Sequence, residues 1–240
     1  MRLLTWNARR GEFARKAPLL ERFEADIIVI PEIAAPLVES DQLLWFGDKR
    51  SQGLAVVARG KYKLTKLTEL PDAPKYVIPI RVDGPLSFTL FAVWTVRGKD
   101  LRYVEAACAA IDLYASTFLS SAVVMMGDFN SNAIWDRKRD ATQNHTAMVG
   151  RLERHGLVSA YHEYRQIKHG LEPKVDHTFY LYGHEDKSYH IDYCFLPKAW
   201  AAQIEEISIG NYADWSDHSD HRPLLVTVLG GSSDALAIQG

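Results

Sequence analysis

The most constraining feature of this chain is the segment Ala122-Val123-Val124-Met125-Met126-Gly127-Asp128-Phe129-Asn130. Its five consecutive apolar residues, bounded by glycine and aspartate, predict a strand buried on both faces. Gly127 permits a sharp turn, so Asp128 and Asn130 should emerge together at the carboxyl end of the strand, where α/β sheets gather ligands. An ordinary turn has the same composition, so the other segments must decide between the two interpretations.

A second pair of polar side chains follows two predicted strands near the start of the chain. Arg2–Asn7 predicts a short strand that ends in an amide, and Asp26–Glu32 predicts a buried strand that ends in a carboxylate. Apolar residues at helical spacing predict a helix over Phe13–Phe23 between them. Asn7 alone suits a turn and Glu32 alone suits a solvated loop, but parallel strands would bring both to one sheet edge.

The middle of the chain predicts antiparallel strands and one long amphipathic helix. The strands are expected over Gly53–Ala58, Tyr76–Val82 and Ser87–Trp94, because turn residues separate them. The apolar stripe from Leu101 to Phe118 predicts a helix that leads into the strand before Gly127.

The last third predicts more strands. Thr178–Tyr182 and Tyr189–Leu196 are expected to form a hairpin, and two further strands are expected over Ile204–Ile209 and Leu224–Leu229. We expect one domain over residues 1–229 and a flexible tail over residues 230–240, which begin with Gly-Gly-Ser-Ser.

Composition limits the functional class and the compartment. The formal net charge of −2 is not that of a protein that binds nucleic acid by charge alone, although a local basic groove remains compatible with it. The two cysteines, Cys108 and Cys194, are too few for a disulfide framework and are expected to be buried free thiols. With no apolar run of membrane-spanning length and no room for a signal peptide before the first strand, we expect a cytoplasmic protein.

Acidic residues and histidines recur before the final strand. Asp192 lies between apolar neighbours in a predicted strand, and the doublets Asp217-His218 and Asp220-His221 follow it. Only the second doublet runs directly into the last strand, so its side chains should lie at the entrance of that strand. A buried aspartate beside a histidine fixes the tautomer of the imidazole and stabilises its charged form.

A basic loop follows Asn130. Trp135 precedes the charged run Asp136-Arg137-Lys138-Arg139-Asp140. A solvated loop would have this composition, and so would a loop whose Arg137 and Lys138 contact phosphates while Trp135 stacks on a base or sugar.

Five of these segments together resemble the endonuclease/exonuclease/phosphatase superfamily, which includes pancreatic-type deoxyribonuclease, AP endonucleases, inositol polyphosphate 5-phosphatases and neutral sphingomyelinases. The segments occur in the family's order, and they are Thr5-Trp6-Asn7, Pro31-Glu32, Gly127-Asp128-Phe129-Asn130, His190-Ile191-Asp192-Tyr193 and Ser219-Asp220-His221-Arg222-Pro223. The resemblance implies an α/β (α+β) fold, a four-layer αββα sandwich of two packed mixed β-sheets flanked by helices. It also implies hydrolysis of a phosphoester bond with a divalent metal.

The resemblance also implies roles for single residues. Glu32 matches the main metal ligand, helped by Asn7 and Asp220, and oxygen ligands favour Mg²⁺ or Mn²⁺ over zinc. Asp128 matches the residue that orients or deprotonates the attacking water. Asn130 matches the amide that contacts the phosphate. His221, paired with Asp192, matches the histidine that stabilises the phosphorane or acts as general base.

The chain departs from the family pattern at three positions, and further residues are expected to contact substrate. Trp94 stands where deoxyribonuclease-type members have a second histidine, Arg9 where some AP endonucleases have a carboxylate, and Pro31 where nuclease branches commonly have glutamine. Arg9 and Arg10 could clamp phosphate oxygens or lie on the surface. Positions that line the abasic-sugar pocket of AP endonucleases hold aromatic and aliphatic residues that core packing would also explain. The substrate-binding candidates are Arg9, Arg10, Trp94, Trp135, Arg137, Lys138, Phe179 and Tyr189, with Ile191 at a third abasic-pocket position.

Three functions follow from these observations. The leading hypothesis is a Mg²⁺- or Mn²⁺-dependent nuclease that cleaves DNA or RNA by in-line attack of an activated water. The alternative is a phosphodiesterase or phosphatase for a small molecule or lipid headgroup, since the chain is compact and its charge is near neutral. The third is a binding module that keeps the fold without catalysis. We expect a nucleic-acid substrate, no membrane association and no obligate protein partner.

Overall fold

The computed structural model describes residues 1–98 and 101–229. The tail expected at 230–240 lies outside the described residues. The single domain expected over 1–229 remains a prediction. The strands, in chain order, are β1 (Arg2–Thr5), β2 (Ile27–Ile33), β3 (Leu43–Lys49), β4 (Gln52–Ala58), β5 (Lys63–Lys66), β6 (Val77–Asp83), β7 (Phe88–Trp94), β8 (Val123–Asp128), β9 (Leu157–Ser159), β10 (Phe179–Tyr180), β11 (Ser188–Tyr189), β12 (Asp192–Pro197), β13 (Ile204–Ile209) and β14 (Leu224–Val228). The α-helices are α1 (Phe13–Lys16), α2 (Val104–Leu113), α3 (Ala115–Ser120), α4 (His145–Arg154), α5 (Ala160–Arg165), α6 (Lys198–Ala201) and α7 (Tyr212–Trp215). No helix within the described ranges is long and apolar enough to span a membrane.

The main strands form two six-stranded mixed sheets. The first sheet has the order β13-β14-β1-β2-β4-β3, and the second has the order β5-β6-β7-β8-β12-β9. Each sheet holds a parallel pair, β1 with β2 and β7 with β8, among otherwise antiparallel neighbours in the described part of the chain. Asn7 and Glu32 therefore emerge at the carboxyl ends of one parallel pair, and Asp128 emerges at that of the other.

Alternate residues of the central strands face different cores. In β1, Leu3 lies in the core between the sheets, whereas Leu4 packs with Trp215 on the outer side of the first sheet. In β8, Val124 faces the core between the sheets, whereas Val123 packs against the helices that cover the second sheet. Burial on both faces explains why these strands are continuously apolar. The predicted four-layer sandwich is confirmed.

Two predicted helices are wrong in detail. Pro18 cannot donate a backbone hydrogen bond, so α1 ends at Lys16 and the chain continues as a 3₁₀ helix over Ala17–Phe23. The helix predicted from Leu101 to Phe118 breaks at Tyr114, whose ring packs at 5.2 Å on Phe91 of the second sheet. Tertiary packing thus divides a stripe that is continuous in sequence.

The predicted hairpin of the last third is shorter than expected. Only β10 and β11, of two residues each, pair with one another. The following strand, β12, joins the second sheet between β8 and β9, because its apolar residues need two buried faces. This pairing places Asp192 directly opposite Asp128.

Candidate active site

Asp128 ends β8, and the preceding Gly127 lies within the strand, paired with Val93 and Tyr193, not in the sharp turn that the sequence predicted. The chain turns after Asp128 instead, and only glycine fits at position 127. Gly127 has a φ of +146°, and a Cβ on it would lie 1.9 Å from the carbonyl oxygen of Val93. Both carboxylate oxygens of Asp128 accept hydrogen bonds from Asn130, one from its backbone N–H at 2.8 Å and one from its Nδ2 at 2.9 Å. Asn130 Nδ2 also donates to the carbonyl of Thr95. The turn therefore fixes the carboxylate and the amide in one rigid unit.

Asn7 joins the two sheets at the same edge. Its Nδ2 donates to Glu32 Oε1 at 3.1 Å and to Asp128 Oδ2 at 2.9 Å. Because Glu32 lies in the first sheet and Asp128 in the second, the amide bridges the two layers. The expectation that Asn7 and Glu32 share one edge is confirmed by the parallel pairing of β1 and β2.

Glu32 owes its orientation to an irregularity in β2. The register with β4 shifts between Pro31 and Ile33, and Glu32 has a φ of 58°, a left-handed conformation that is uncommon for glutamate. A bulge of this kind redirects a side chain out of the normal alternation. Gln52 Nε2 donates to Glu32 Oε2 at 3.0 Å and holds the second oxygen. The bulge and the bond from Gln52 together hold Glu32 in this strained conformation.

His221 lies beside Asp192 at the entrance of β14, as predicted. Its Nδ1 lies 2.9 Å from Asp192 Oδ2, and the donor atoms of Asp128, Asp192 and His221 lie within 4.8 Å of one another. Ser219 Oγ accepts from the backbone N–H of His221 and donates to the carbonyl of Asn7. Trp6 Nε1 donates to the carbonyl of His221 at 3.0 Å. Backbone contacts thus fix the histidine against the end of β1.

Burial and mutual charge set the protonation of this group. Burial raises the pKa of Asp128 to about 7, against the opposing effect of His221, while Asp192 adds to the increase. Burial alone would lower the pKa of His221, but the charge and hydrogen bond of Asp192 outweigh it and raise the pKa to about 9. The imidazole is therefore positively charged at neutral pH, and Asp128 titrates near neutral pH.

The three expected metal ligands, Glu32, Asn7 and Asp220, do not direct their oxygens at one point. Asn7 turns its nitrogen toward Glu32, while its Oδ1 accepts the backbone N–H of Arg9 at 2.8 Å. Asp220 pairs with the Arg9 guanidinium at 3.3 Å. The donor set is nevertheless rich in oxygen, and Asp192 Oδ1 is a buried atom with no hydrogen-bond partner among the described residues. This oxygen belongs to the group of Asp128, Asp192 and His221, and the carboxylates of that group and of Glu32 are of the type that binds a hard divalent cation.

Half-buried aromatic rings extend from His221 toward the basic loop. Ring centroids are 4.7 Å apart for Phe179 and His221, 6.5 Å for Phe179 and Tyr189, and 5.1 Å for Tyr189 and Trp135. Ile191 is 2% exposed and belongs to the core. The aromatic row, which we define as Phe179, Tyr189 and Trp135, therefore forms one wall beside the histidine.

A cavity of about 480 Å³ opens next to this wall, and its lining residues are Tyr103, Asn130, Trp135, Lys138 and Arg139. The basic loop and Asn130, which is expected to contact the phosphate, therefore line one concave surface. Arg10 and Arg137 are exposed, and Arg9 is half exposed beside Asp220. Trp94 is 7% exposed and packs on Tyr76 at 4.6 Å, a position that favours core packing over substrate contact.

Several residues of the site were not predicted. Gln52 and Ser219 act through the orientation of Glu32 and His221, and Tyr103 lines the cavity with an unusual φ of 48°. A second buried cluster, formed by histidines and Glu172, lies apart from these residues. Its signal in the sequence is the density of histidine, since seven of the nine histidines lie between His145 and His190.

No family model matches the chain, and no curated protein matches it significantly. Solved structures do resemble it over nearly its whole length. NExo, a 3′ phosphatase from Neisseria solved with a product DNA hairpin, is 19% identical and has a TM-score of 0.69, with 95% of this chain and 99% of that chain covered. The endonuclease domain of the telomere-specific retrotransposon TRAS1 is 17% identical with a TM-score of 0.65, over 95% of this chain and 97% of its own.

An AP endonuclease from Archaeoglobus fulgidus is 14% identical with a TM-score of 0.64, and the match covers 95% of this chain and 99% of that chain. At these identities the likeness is one of fold. The two packed mixed sheets agree with it. The chain therefore has the endonuclease/exonuclease/phosphatase fold, as the sequence resemblance predicted.

Proposed function

We propose that the protein is a divalent-metal-dependent phosphodiester hydrolase that cleaves DNA or RNA by in-line attack of water. The proposal rests mainly on one network of contacts at the sheet edge. Asn7 donates hydrogen bonds to both Glu32 and Asp128, and the His221–Asp192 pair lies beside Asp128. Both cysteines are buried free thiols, which supports a reducing, cytoplasmic location.

Asp128 is the candidate that orients and deprotonates the water. Its pKa of about 7 places it where a general base works best at neutral pH. The hydrogen bonds from Asn7 and Asn130 keep the carboxylate in one orientation. Asn130 lines the adjoining cavity, and its Nδ2 could donate to a phosphoryl oxygen there in exchange for its bond to the Thr95 carbonyl.

His221 suits a charge-stabilising role better than a basic one. With a pKa of about 9, its ring already carries the proton at neutral pH, so it cannot accept one from water. The Asp192 carboxylate holds Nδ1, which leaves Nε2–H to donate to the negative charge that develops on phosphate oxygens.

Glu32 would hold the divalent cation, Mg²⁺ or Mn²⁺, with oxygens of Asn7 and Asp220 as further ligands once Asn7 turns its carbonyl inward and Asp220 leaves Arg9. When bound, the cation offsets negative charge on the reacting phosphate. The hydrogen bond from Gln52 holds the Glu32 carboxylate in one orientation.

A nucleic-acid substrate is supported by the surroundings of the site. The aromatic row offers faces on which bases or sugars can stack, and Lys138 and Arg139 line the adjoining cavity. Arg9, Arg10 and Arg137 add positive charge at exposed or half-exposed positions for phosphate contacts. These features suit a chain of nucleotides better than one small ester.

The test is a cleavage screen with Mg²⁺ and with Mn²⁺. Labelled single-stranded, duplex, abasic and RNA oligonucleotides are compared with a small aromatic phosphodiester, using the wild type and His221→Gln. The first doublet provides a matched control, because His218→Ala removes a neighbouring histidine that lies outside the bonded arrangement. Oligonucleotide cleavage lost in His221→Gln and kept in His218→Ala supports the proposal. Turnover confined to the small ester, or absence of turnover on all substrates, contradicts it.

A further inference from the structure

A second cluster of ligand-type side chains lies outside the candidate active site. One donor atom each from His162, His169 and Glu172 lies within 4.8 Å of the others. His162 belongs to α5, and the other two follow it in the next loop. His145, at the start of α4, contacts His169, with its Nε2 2.9 Å from His169 Nδ1. We call these four residues the histidine cluster.

We propose that the histidine cluster is a second metal site, in which His162, His169 and Glu172 bind Zn²⁺ and link α5, its following loop and the base of the Asn130 loop. This site differs from the candidate active site in its chemistry. Imidazole nitrogens with one carboxylate suit zinc, whereas the carboxylate and amide oxygens around Glu32 suit Mg²⁺ or Mn²⁺.

The hydrogen bonds of the histidines match those of metal ligands. His162 Nδ1 lies 2.8 Å from Ser159 Oγ, so its Nε2 points to Glu172. His169 Nδ1 faces His145, and its Nε2 has no hydrogen bond among the described residues. In metal sites one ring nitrogen is usually held by such a partner while the other binds the metal. His145 is thus a positioning residue for His169.

Metal binding requires a change in spacing and in the orientation of one ring. His162 Nε2 and Glu172 Oε1 lie 2.9 Å apart, and ligand atoms of a tetrahedral zinc with bonds of about 2.1 Å lie about 3.4 Å apart. The rings of His162 and His169 stack with centroids 3.5 Å apart and planes at 16°. Since lone pairs lie in the ring plane, one ring must tilt, and His169 is the partly exposed ring that can do so.

The cluster also contacts the loop that carries Asn130. Asn132 Nδ2 donates to Glu172 Oε1 at 3.2 Å, and Ser131 Oγ lies 3.1 Å from His145 Nδ1. Metal binding should therefore stabilise the loop next to the candidate active site without supplying any group to the reaction.

The test is metal binding by the purified full chain after removal of metal with a chelator. We expect one equivalent of Zn²⁺ per chain by elemental analysis, a rise in melting temperature with Zn²⁺, and a visible absorption band of tetrahedral type with Co²⁺ as the spectroscopic probe. His169→Ala should weaken Zn²⁺ binding at least tenfold and remove the band. His184→Ala, at an exposed histidine, and His221→Gln should keep both.

Folded wild-type protein that binds no Zn²⁺ and gives no Co²⁺ band overturns the proposal, as does a band that survives His169→Ala and disappears in His221→Gln. Glu172→Gln, with nearly the same shape, provides a second ligand variant if His169→Ala does not fold. All of these readouts need no substrate, so they hold or fail independently of the proposed nuclease activity.

Discussion

His221 Nδ1 lies 2.9 Å from Asp192 Oδ2, and the two side chains are only 6% and 0% exposed. A buried ion pair of this kind makes the stability of the protein depend on pH. Asp128 and Asp220 also face the imidazole and contribute to its charge state. The free energy of unfolding of the metal-free protein should therefore report the titration of His221.

The pKa of His221 is raised from 6.5 to about 9 in the folded state, so its charged form stabilises the fold. This contribution is complete below the unfolded value of 6.5 and is lost as the pH rises through about 9. Compared with His221→Gln, the wild type should lose up to roughly 3 kcal/mol of relative stability over this interval. Denaturant melts in the presence of a chelator at several pH values measure the difference. A gap between wild type and variant that stays constant with pH contradicts the assignment.

Asp128→Asn should separate catalysis from folding. The substitution keeps the size of a buried side chain while it removes the group that can take a proton, so we expect turnover to fall by at least about 100-fold. One acceptor for Asn7 and Asn130 is lost, and this should cost about 1 kcal/mol of unfolding free energy. Steady-state cleavage rates and urea melts of the same preparations measure the two effects. Near wild-type turnover would exclude Asp128 as the base.

The sequence predicted the site more accurately where it depends on local chain geometry. Asp128 and Asn130 follow one buried strand and are two residues apart, so their shared position at its carboxyl end was predictable from the order of residues. The sharp turn predicted at Gly127 is wrong, because this glycine lies in β8 and allows its close approach to Val93. Parallel pairing of β1 and β2 followed from the strand–helix–strand order. Both features depend on short segments of chain.

Features that depend on distant segments were not predictable in the same way. Nothing near Glu32 indicates that Gln52 holds its carboxylate, since the contact arises only when β2 and β4 pair around a bulge. The ion pair of Arg9 with Asp220 joins residues at opposite ends of the chain. Strands β3 and β5 also escaped prediction, because they lie at the edges of the sheets and alternate less strictly between apolar and polar residues.

Gly127→Ala should destabilise the fold strongly. The new Cβ would meet the Val93 carbonyl at 1.9 Å, and a φ of +146° is not accessible to alanine without strain. We expect a loss of at least about 3 kcal/mol of unfolding free energy, or no folding. Gly60→Ala is the matched control, since its φ of +61° is also left-handed but no atom lies within 4 Å of the added Cβ. Urea melts compare the variants, and equal small losses would show that β8 tolerates a side chain at position 127.

Gln52→Ala should weaken binding of the catalytic metal without removing a proposed ligand. Gln52 Nε2 donates to Glu32 Oε2 at 3.0 Å, and loss of a group that orients a ligand typically costs about 10- to 100-fold in metal affinity. Titration of the chelator-treated protein with Mn²⁺, followed by calorimetry, measures this affinity without substrate. Gln42→Ala is the control, because among the described residues the Gln42 side chain donates to the carbonyls of Gly60 and Tyr62 and not to Glu32. Wild-type Mn²⁺ affinity in both variants would have two explanations: Glu32 needs no support from Gln52, or Glu32 does not bind the metal. Glu32→Gln in the same titration distinguishes between them.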